Sequence, residues 1–518
     1  MNRAARAGVE LRRGEDSALT DAQTDMSWSA VDDTIQSVIG AISGLSTSAV
    51  RVAIFAHNAA EVLLTHVGAT LAGIPVVHVN HHSTVDELRF VLRDSGANVL
   101  MVGPETVGRA IEATKHQPVE HLIGWRTGHS AVQPWSGFLG MAIQRSADPA
   151  TPAAPAIIYT SGTTGRPKGV HIPSSRPFDD ATVGDVIALL HNGRFANYES
   201  HLVVGPMYHT GPLAGARSIL AGVRQVILDR FDPVATLAAI DVHQIQTSVM
   251  VPTHFIRMLR VDPKVRARFS GRSLRYVVHT GAPCPLDVKR RMIEWWGPLL
   301  AESYGATEVG TTCSITSDEW LAHEGSVGRT VRPFTPLVVD ANGAEVPIGT
   351  IGRLFFVDAS GRGIVYPGDP EKSAAAHLQP GVFTIGEHGY VDEDGYVYIT
   401  GREADLILSG GVNIYPAEVE AALLEHPSVA DAVVFGEVDD EMGESVVASV
   451  VPAAGVDTDD LATDLAAWCR SKIGGYKCPR HIEIVTSLPR TELGKIRRRL
   501  LRRATAPILH PDSGSSPQ

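Results

Sequence analysis

Apolar residues along this chain fall into short solid runs, and between the runs they recur every three or four positions. Residues 52–80, VAIFAHNAAEVLLTHVGATLAGIPVVHVN, show one full cycle. VAIF and PVVHV read as buried strands, and the stretch between them has helical spacing. Asn58 is placed to cap that helix with Glu61 three residues on, and Gly73 to end it. A second cycle follows at once. Thr84 and Asp86 open a helix, Gly96 closes it, and NVLMVG is the next strand. Similar alternation recurs through HLVVGPM, QVILD, TSVMVP and LRYVVHTG. Continuous alternation of this kind predicts parallel sheets with helices on their faces.

The texture changes near residue 400. DEDGYVYITG predicts a hairpin turning at Asp394-Gly395. In the segment that follows, Pro416 sits where helices favour a first-turn proline, with Glu418 and Glu420 near the positive end of the helix. Strand DAVVFG, helix DDLATDLAAWCRSKI, strand HIEIV and a basic terminal helix complete an α+β unit of about 100 residues. The expected fold class is α/β. A large N-terminal domain of helix-covered sheets spans residues 27–401, and a small mobile C-terminal α+β domain spans 402–505. Disordered segments are expected at 1–26 and 506–518.

Composition adds limits rather than detail. A chain of 518 residues is too long for one ordinary core, which supports the division into domains. The net charge of -12 gives no electrostatic reason to bind nucleic acid or an acidic membrane surface, so phosphates must meet a local site. Cys284, Cys313, Cys469 and Cys478 form no CxxC pair, which suits a reducing compartment without structural zinc. No apolar core of a signal peptide opens the chain, and no run of about 18 apolar residues occurs. A cytoplasmic enzyme is expected.

The stretch with most chemistry is YTSGTTGRPKGV, residues 159–170. Glycines let a backbone aim consecutive N–H groups at an anion, and the hydroxyls add donors. A Walker A loop fails here, because Pro167 stands for its second glycine and Gly169 for its magnesium-binding Ser/Thr. The string instead resembles the phosphate loop of the adenylate-forming superfamily, which includes acyl-CoA and aryl-CoA synthetases, peptide-synthetase adenylation domains and luciferases. Other motifs follow in the family's order. MYHTGPL (207–213) resembles its aromatic/His motif at the acyl pocket, and HTGAPCP (279–285) its adenine-side loop. ESYGATEVG (302–310) matches Y-G-x-T-E. GEHGYVDEDGYVYITGR (386–402) resembles the ribose-binding stretch and hinge, and LPRTELGKIRRR (488–499) the terminal lysine motif. The CoA side, GGVNIYPAEVE, is similar to bacterial ligases of fatty and bile acids.

The resemblance implies two half-reactions. A carboxylate attacks the α-phosphate of ATP, giving an acyl-adenylate and pyrophosphate; a thiol then attacks the acyl carbon and AMP leaves. Carboxylic acids, with pKa about 4–5, are already ionised at neutral pH, so the first step needs no general base. It needs orientation and charge stabilisation. By the resemblance, Thr160, Ser161, Gly162, Thr163, Thr164, Gly165 and Lys168 hold the β- and γ-phosphates. Thr307 touches the α-phosphate and Glu308 ligates magnesium. Tyr304 and the Gly281-Ala282-Pro283 backbone flank adenine, and Glu387 and Arg402 belong to the ribose side. Tyr208, His209, Thr280 and Gly305 border the acyl pocket, with His209 also in the catalytic set. Lys495 bridges carboxylate and α-phosphate in the first step. Gly410 and Gly411 face the CoA pantetheine. Arg497, Arg498, Arg499, Arg502 and Arg503 read as a solvated helix face, and Cys478 as a packing residue.

Two departures stand out. The family's ribose-clamping T-G-D appears as Ile385-Gly386-Glu387, and its polar hinge residue appears as Ala404. No carboxylate beside His209 is evident to pair with a substrate ammonium, which favours an uncharged acyl or aryl acid. The acceptor stays open between CoA, a carrier-protein thiol and an amine, and a relative without synthetase activity is a third reading.

Overall fold

The strands of the first cycles assemble into one seven-stranded sheet. Its order is Gln133–Pro134, His121–Gly124, Val99–Val102, Val52–Phe55, Val76–His78, Ala156–Ser161 and Pro167–Ile172. All neighbours are parallel except the last pair. The computed structural model describes residues 15–45, 49–115, 117, 119–161, 167–172, 180–366, 370–402, 405–409, 412–439, 442–491 and 495–501. Contacts gather into two units, residues 1–385 with 390–398, and residues 386–389 with 399–518.

In the first unit, the helix Ala60–Leu71 is buried at every residue except Glu61. It is buried nearly all round because it lies between two sheets. Its core is shared with Val52 and Ile54 of the seven-stranded sheet and with Val203 and Ile227 of the second sheet. Asn58 does not cap this helix: Ala59 is the N-cap and supplies no side-chain bond. The helix Val85–Ser95 does begin on Thr84, in a reciprocal capping box with Glu87, and ends on Gly96 at φ 65.

The second sheet has fifteen strands. Its centre is parallel, in the order Arg224–Ile227, Ser200–Val203, Thr247–Met250, Tyr276–Thr280 and Leu300–Ala306. Residues Ser17–Thr20, expected to be disordered, join its edge in parallel with Arg224–Ile227, and Ala18 and Leu19 are fully buried. Two apolar residues in SALT are too few to signal a strand; its partner lies far along the chain. Arg126 secures the turn that follows, with Nη2 2.6 Å from Asp21 Oδ2 and 3.0 Å from Glu61 Oε2.

Several histidines are sealed in this core. His66 and His78 meet ring to ring at 3.0 Å, and His201 and His279 are fully buried. Burial holds His78 and His201 down to about 3 and His279 to about 4, and keeps His66 well below the ordinary imidazole range. They are neutral when folded, whereas unfolded imidazoles titrate near about 6.5. Their contribution to stability is therefore complete above about pH 6.5 and is lost as pH falls toward about 3, because only the unfolded chain takes up the protons. Denaturant midpoints should fall steadily from neutral pH into the acid range; a flat series would contradict this account.

The second unit carries a five-stranded sheet: Val412–Ile414, Ile407–Ser409, Gly443–Pro452 and Val429–Asp439, with His481–Ile484 parallel to Gly443–Pro452. Helices Pro416–Leu424 and Leu461–Lys472 cover it, with Val419, Leu423, Leu465 and Cys469 in its core. Pro416 occupies the first turn as expected. Cys478 is a buried packing residue in the same core. In place of a terminal helix, the described chain makes one 3-10 turn, Arg498–Leu500. Among the described residues no helix is long and apolar enough to cross a membrane.

Candidate active site

The glycine-rich string joins two antiparallel strands, Ala156–Ser161 and Pro167–Ile172, with Thr160 opposite Lys168 and Ser161 opposite Pro167. Pro167 is tolerated because it begins an edge strand. Gly162, Thr163, Thr164 and Gly165 lie outside the described residues, and only the backbones of Thr160, Ser161 and Lys168 are placed. One residue before them, the Tyr159 hydroxyl donates to Asp94 Oδ2 at 2.7 Å, fastening the strand to the helix Val85–Ser95. Burial and the Asp94 carboxylate together push this phenol above its ordinary range.

The adenine-side loop and the acidic turn leave adjacent parallel strands at the same edge. Thr280 stands beside Ser303 in register, so residues 281–283 and 304–308 emerge together. In open α/β sheets this carboxyl edge is where ligands bind. Gly281 turns the chain at φ 88. Thr312 Oγ1 donates to the Tyr304 carbonyl at 3.2 Å, fixing that backbone. A Cβ on Gly305 would stand 2.0 Å from the Gly310 carbonyl oxygen, so only glycine permits this close approach. Thr307 and Glu308 occupy the turn between Leu300–Ala306 and Gly310–Thr316, closed by the Val309 N–H on the Ala306 carbonyl at 3.2 Å. Both are half-buried, and the Tyr366 phenol hydrogen-bonds Glu308.

The residues expected on the acyl side meet the same edge. A Cβ on Gly211 would lie 3.1 Å from Thr280 Cγ2, which sets the start of the helix Thr210–Ala216 against Thr280. His209 is the N-cap residue of that helix, and the buried Tyr208 ring packs on it with centroids 4.4 Å apart. His81 touches Tyr208 edge-on at 5.2 Å and is itself flanked by His57 and His82, each at 4.2 Å. Sequence reasoning found neither this run of rings nor what holds the turn before it. Asn58 does so from the other sheet. Its Nδ2 donates to the Gly205 carbonyl at 2.9 Å and the Leu228 carbonyl at 3.2 Å, and its Oδ1 accepts the Met207 N–H at 2.8 Å.

Beneath the adenine-side loop is a buried ion pair that the sequence also hid. Lys289 Nζ donates to Glu302 Oε2 at 2.6 Å and lies 4.7 Å from the Trp320 ring centroid. Glu302 is in register with His279, one residue before Thr280 and two before Tyr304. His279 packs edge-on to Phe255 with no hydrogen bond at either nitrogen. His254 stacks on Phe231 at 4.0 Å. Burial above all raises the Cys284 thiol, which suits packing and not nucleophilic work.

In the second unit, Glu387 begins the strand Glu387–Val391 and is buried. Arg402 ends the strand Val397–Arg402, with only its backbone placed. Ala404, Gly410 and Gly411 lie outside the described residues; the two glycines connect the paired strands Ile407–Ser409 and Val412–Ile414. Lys495 is exposed on a short loop, its N–H on Thr491 Oγ1 at 3.1 Å and its carbonyl accepting the Thr491 N–H at 2.8 Å. Arg498 is not part of a solvated helix face. It is held by Asp405 and Glu420, remote carboxylates that its neighbours in sequence do not announce.

Compared with known proteins, residues 8–361 match the family described as AMP-binding enzyme, and residues 418–495 match the AMP-binding enzyme C-terminal domain. The chain is 32% identical over 452 residues to a fatty acid–[acyl-carrier-protein] ligase of Streptomyces coeruleorubidus, covering 84% of this chain and 83% of that one. It is 32% identical over 465 residues to a feruloyl-CoA synthase of an Amycolatopsis species, covering 88% of each. Among solved structures, ATP-bound MatB from Rhodopseudomonas palustris is similar at a TM-score of 0.80 and 26% identity, over 96% of this chain and 97% of that one. With more than half of its length matched and its acidic turn and adenine-side loop at one sheet edge, the chain belongs to the AMP-binding enzyme family of adenylate-forming ligases.

Proposed function

We propose that this enzyme joins an uncharged acyl or aryl carboxylic acid to the thiol of CoA, through an acyl-adenylate and with release of pyrophosphate. The observation that carries the reading is the shared strand edge, with Thr280 in register with Ser303, from which residues 281–283 and 304–308 both leave. An adenine, a phosphate and a carboxylate can be oriented there by one rigid frame. Tyr208, His209 and Thr280 would border the acyl group, Tyr304 and Gly281-Ala282-Pro283 the adenine, and Glu387 the ribose. Lys168 and the hydroxyls beside it would hold the outer phosphates.

Among the described residues no group of three or more His, Cys, Asp or Glu is placed to hold a metal ion. A lone carboxylate such as Glu308 on an open turn fits magnesium that arrives with nucleotide, since that ion takes one or two carboxylates besides substrate phosphates. Held there, magnesium would neutralise charge on the phosphate oxygens. The second unit is read as a lid turning about Ala404, bringing Lys495 for the first half-reaction and Gly410 and Gly411 for the second.

Transfer to a carrier-protein thiol is the second reading, favoured by the similarity to the acyl-carrier-protein ligase. Pyrophosphate release with a panel of fatty, cinnamic and arylacetic acids, run alone, with CoA and with acyl carrier protein, tests both. CoA-dependent thioester is expected. Pyrophosphate with a carrier-protein thioester alone would select the second reading, and no pyrophosphate with any acid would sink both.

A further inference from the structure

The exposed side chain of Lys495 can reach a fixed point only if its loop is fixed, because a lysine stem brings many rotamers and no planar fork of its own. The loop is tied at both ends. Before it, Arg490 grips Asp431 through Nε at 2.9 Å and Nη2 at 2.6 Å, and the Arg497 N–H returns to the Pro489 carbonyl at 2.8 Å. Leu488 and Ile496 rest on Val433, Phe435 and Val447 of the lid sheet.

After it comes Arg498, which spreads its donors in three directions. Nη1 reaches Asp405 Oδ2 at 3.0 Å, Nη2 reaches Glu420 Oε1 at 2.5 Å, and Nε reaches the Val434 carbonyl at 3.2 Å. Glu420 Oε1 also accepts the Val434 N–H at 2.8 Å, so helix, strand and loop share one knot. Asp405 is the first described residue after Ala404. Burial raises the Glu420 carboxyl, while Arg498 and the Val434 N–H pull it back down.

We propose that Arg498 is a positioning residue for Lys495, joining the segment that follows Ala404 and the lysine loop into one body. A turn at the hinge then carries Lys495 with it instead of being absorbed by a loose loop. The proposal rests on the reading of Lys495 as the lysine of the adenylating step.

The test compares Arg498→Met combined with Glu420→Gln, which avoids stranding a buried carboxylate, with Arg498→Lys and Lys495→Ala. Pyrophosphate release is measured with the best acid of the panel, and thioester formation with its prepared adenylate. For the double variant, kcat of adenylation should fall roughly 10- to 100-fold, the cost of a small misplacement of a reacting group. KM for ATP should move less than about threefold, and thioester formation from supplied adenylate should change as little. Arg498→Lys should recover part of the lost kcat. Equal loss of both half-reactions would make Arg498 a lid-folding residue and overturn the proposal, as would no loss at all. If Lys495→Ala itself spares adenylation, the parent reading falls and the proposal with it; if only the Arg498 variants fail to separate the steps, the proposal alone falls.

Discussion

Lys495→Ala should lower adenylate formation by at least roughly 100-fold while leaving thioester formation from supplied acyl-adenylate within a few fold. The first half-reaction brings a carboxylate against an already anionic phosphate, and a single ammonium placed between them offsets that repulsion as charge moves. The second has no such pair of anions to bring together, so the same group has little to contribute. Lys495 is exposed and adds nothing to the lid core, so the variant should keep the parent melting temperature. Separate assays of pyrophosphate release and of adenylate-to-thioester conversion decide the matter. Equal loss in both would remove Lys495 from the role assigned to it.

The second large effect concerns stability. Lys289→Ala should cost about 3–5 kcal/mol, the range for stripping one partner from a buried ion pair. Glu302 would be left facing a neutral imidazole, since His279 lies 3.6 Å away and burial keeps it uncharged at neutral pH. Replacing both partners, as Lys289→Met with Glu302→Leu, should restore most of the loss, because two charges no longer need to be taken out of water. Urea unfolding of the parent, the two single variants and the double variant closes the cycle. A double variant no better than Lys289→Ala would show that the pair holds the loop by shape rather than by charge. ATP affinity in the double variant reports how far residues 281–283 and Tyr304 depend on this anchor.

What the sequence made legible was local or linear. Runs such as VAIF and NVLMVG announce strands because both faces of their sheet are covered, and all residues of Val52–Phe55 and Val99–Val102 are buried. The helix start at Thr84 is readable from a local capping signal, although its reciprocal partner is Glu87 and not Asp86. The motif residues are legible as ordered strings, and Thr280, Tyr304 and Glu308 gather once two parallel strands align. Asn58 was misread because its best partners lie 147 and 170 residues away, where no local rule reaches. The Lys289 ion pair was not legible because the lysine lies on the helix Leu286–Trp296 and its carboxylate on the strand Leu300–Ala306. Arg498 was hidden among like residues, and only the fold shows which arginine is enclosed. SALT had too little apolar content to outweigh its polar surroundings until its neighbours were in place.

The amide of Asn58 separates two properties of the acyl side that would otherwise change together. The backbone of residues 205–207 is held from the opposite sheet by Asn58 as well as by the His209 N–H on the Pro206 carbonyl at 3.1 Å. A change of side chain at Tyr208 leaves these Asn58 bonds intact, because they are made to the backbone of residues 205 and 207. If Tyr208 borders the acyl group as proposed, the preference for the acid can change there while the Asn58 bonds hold the turn.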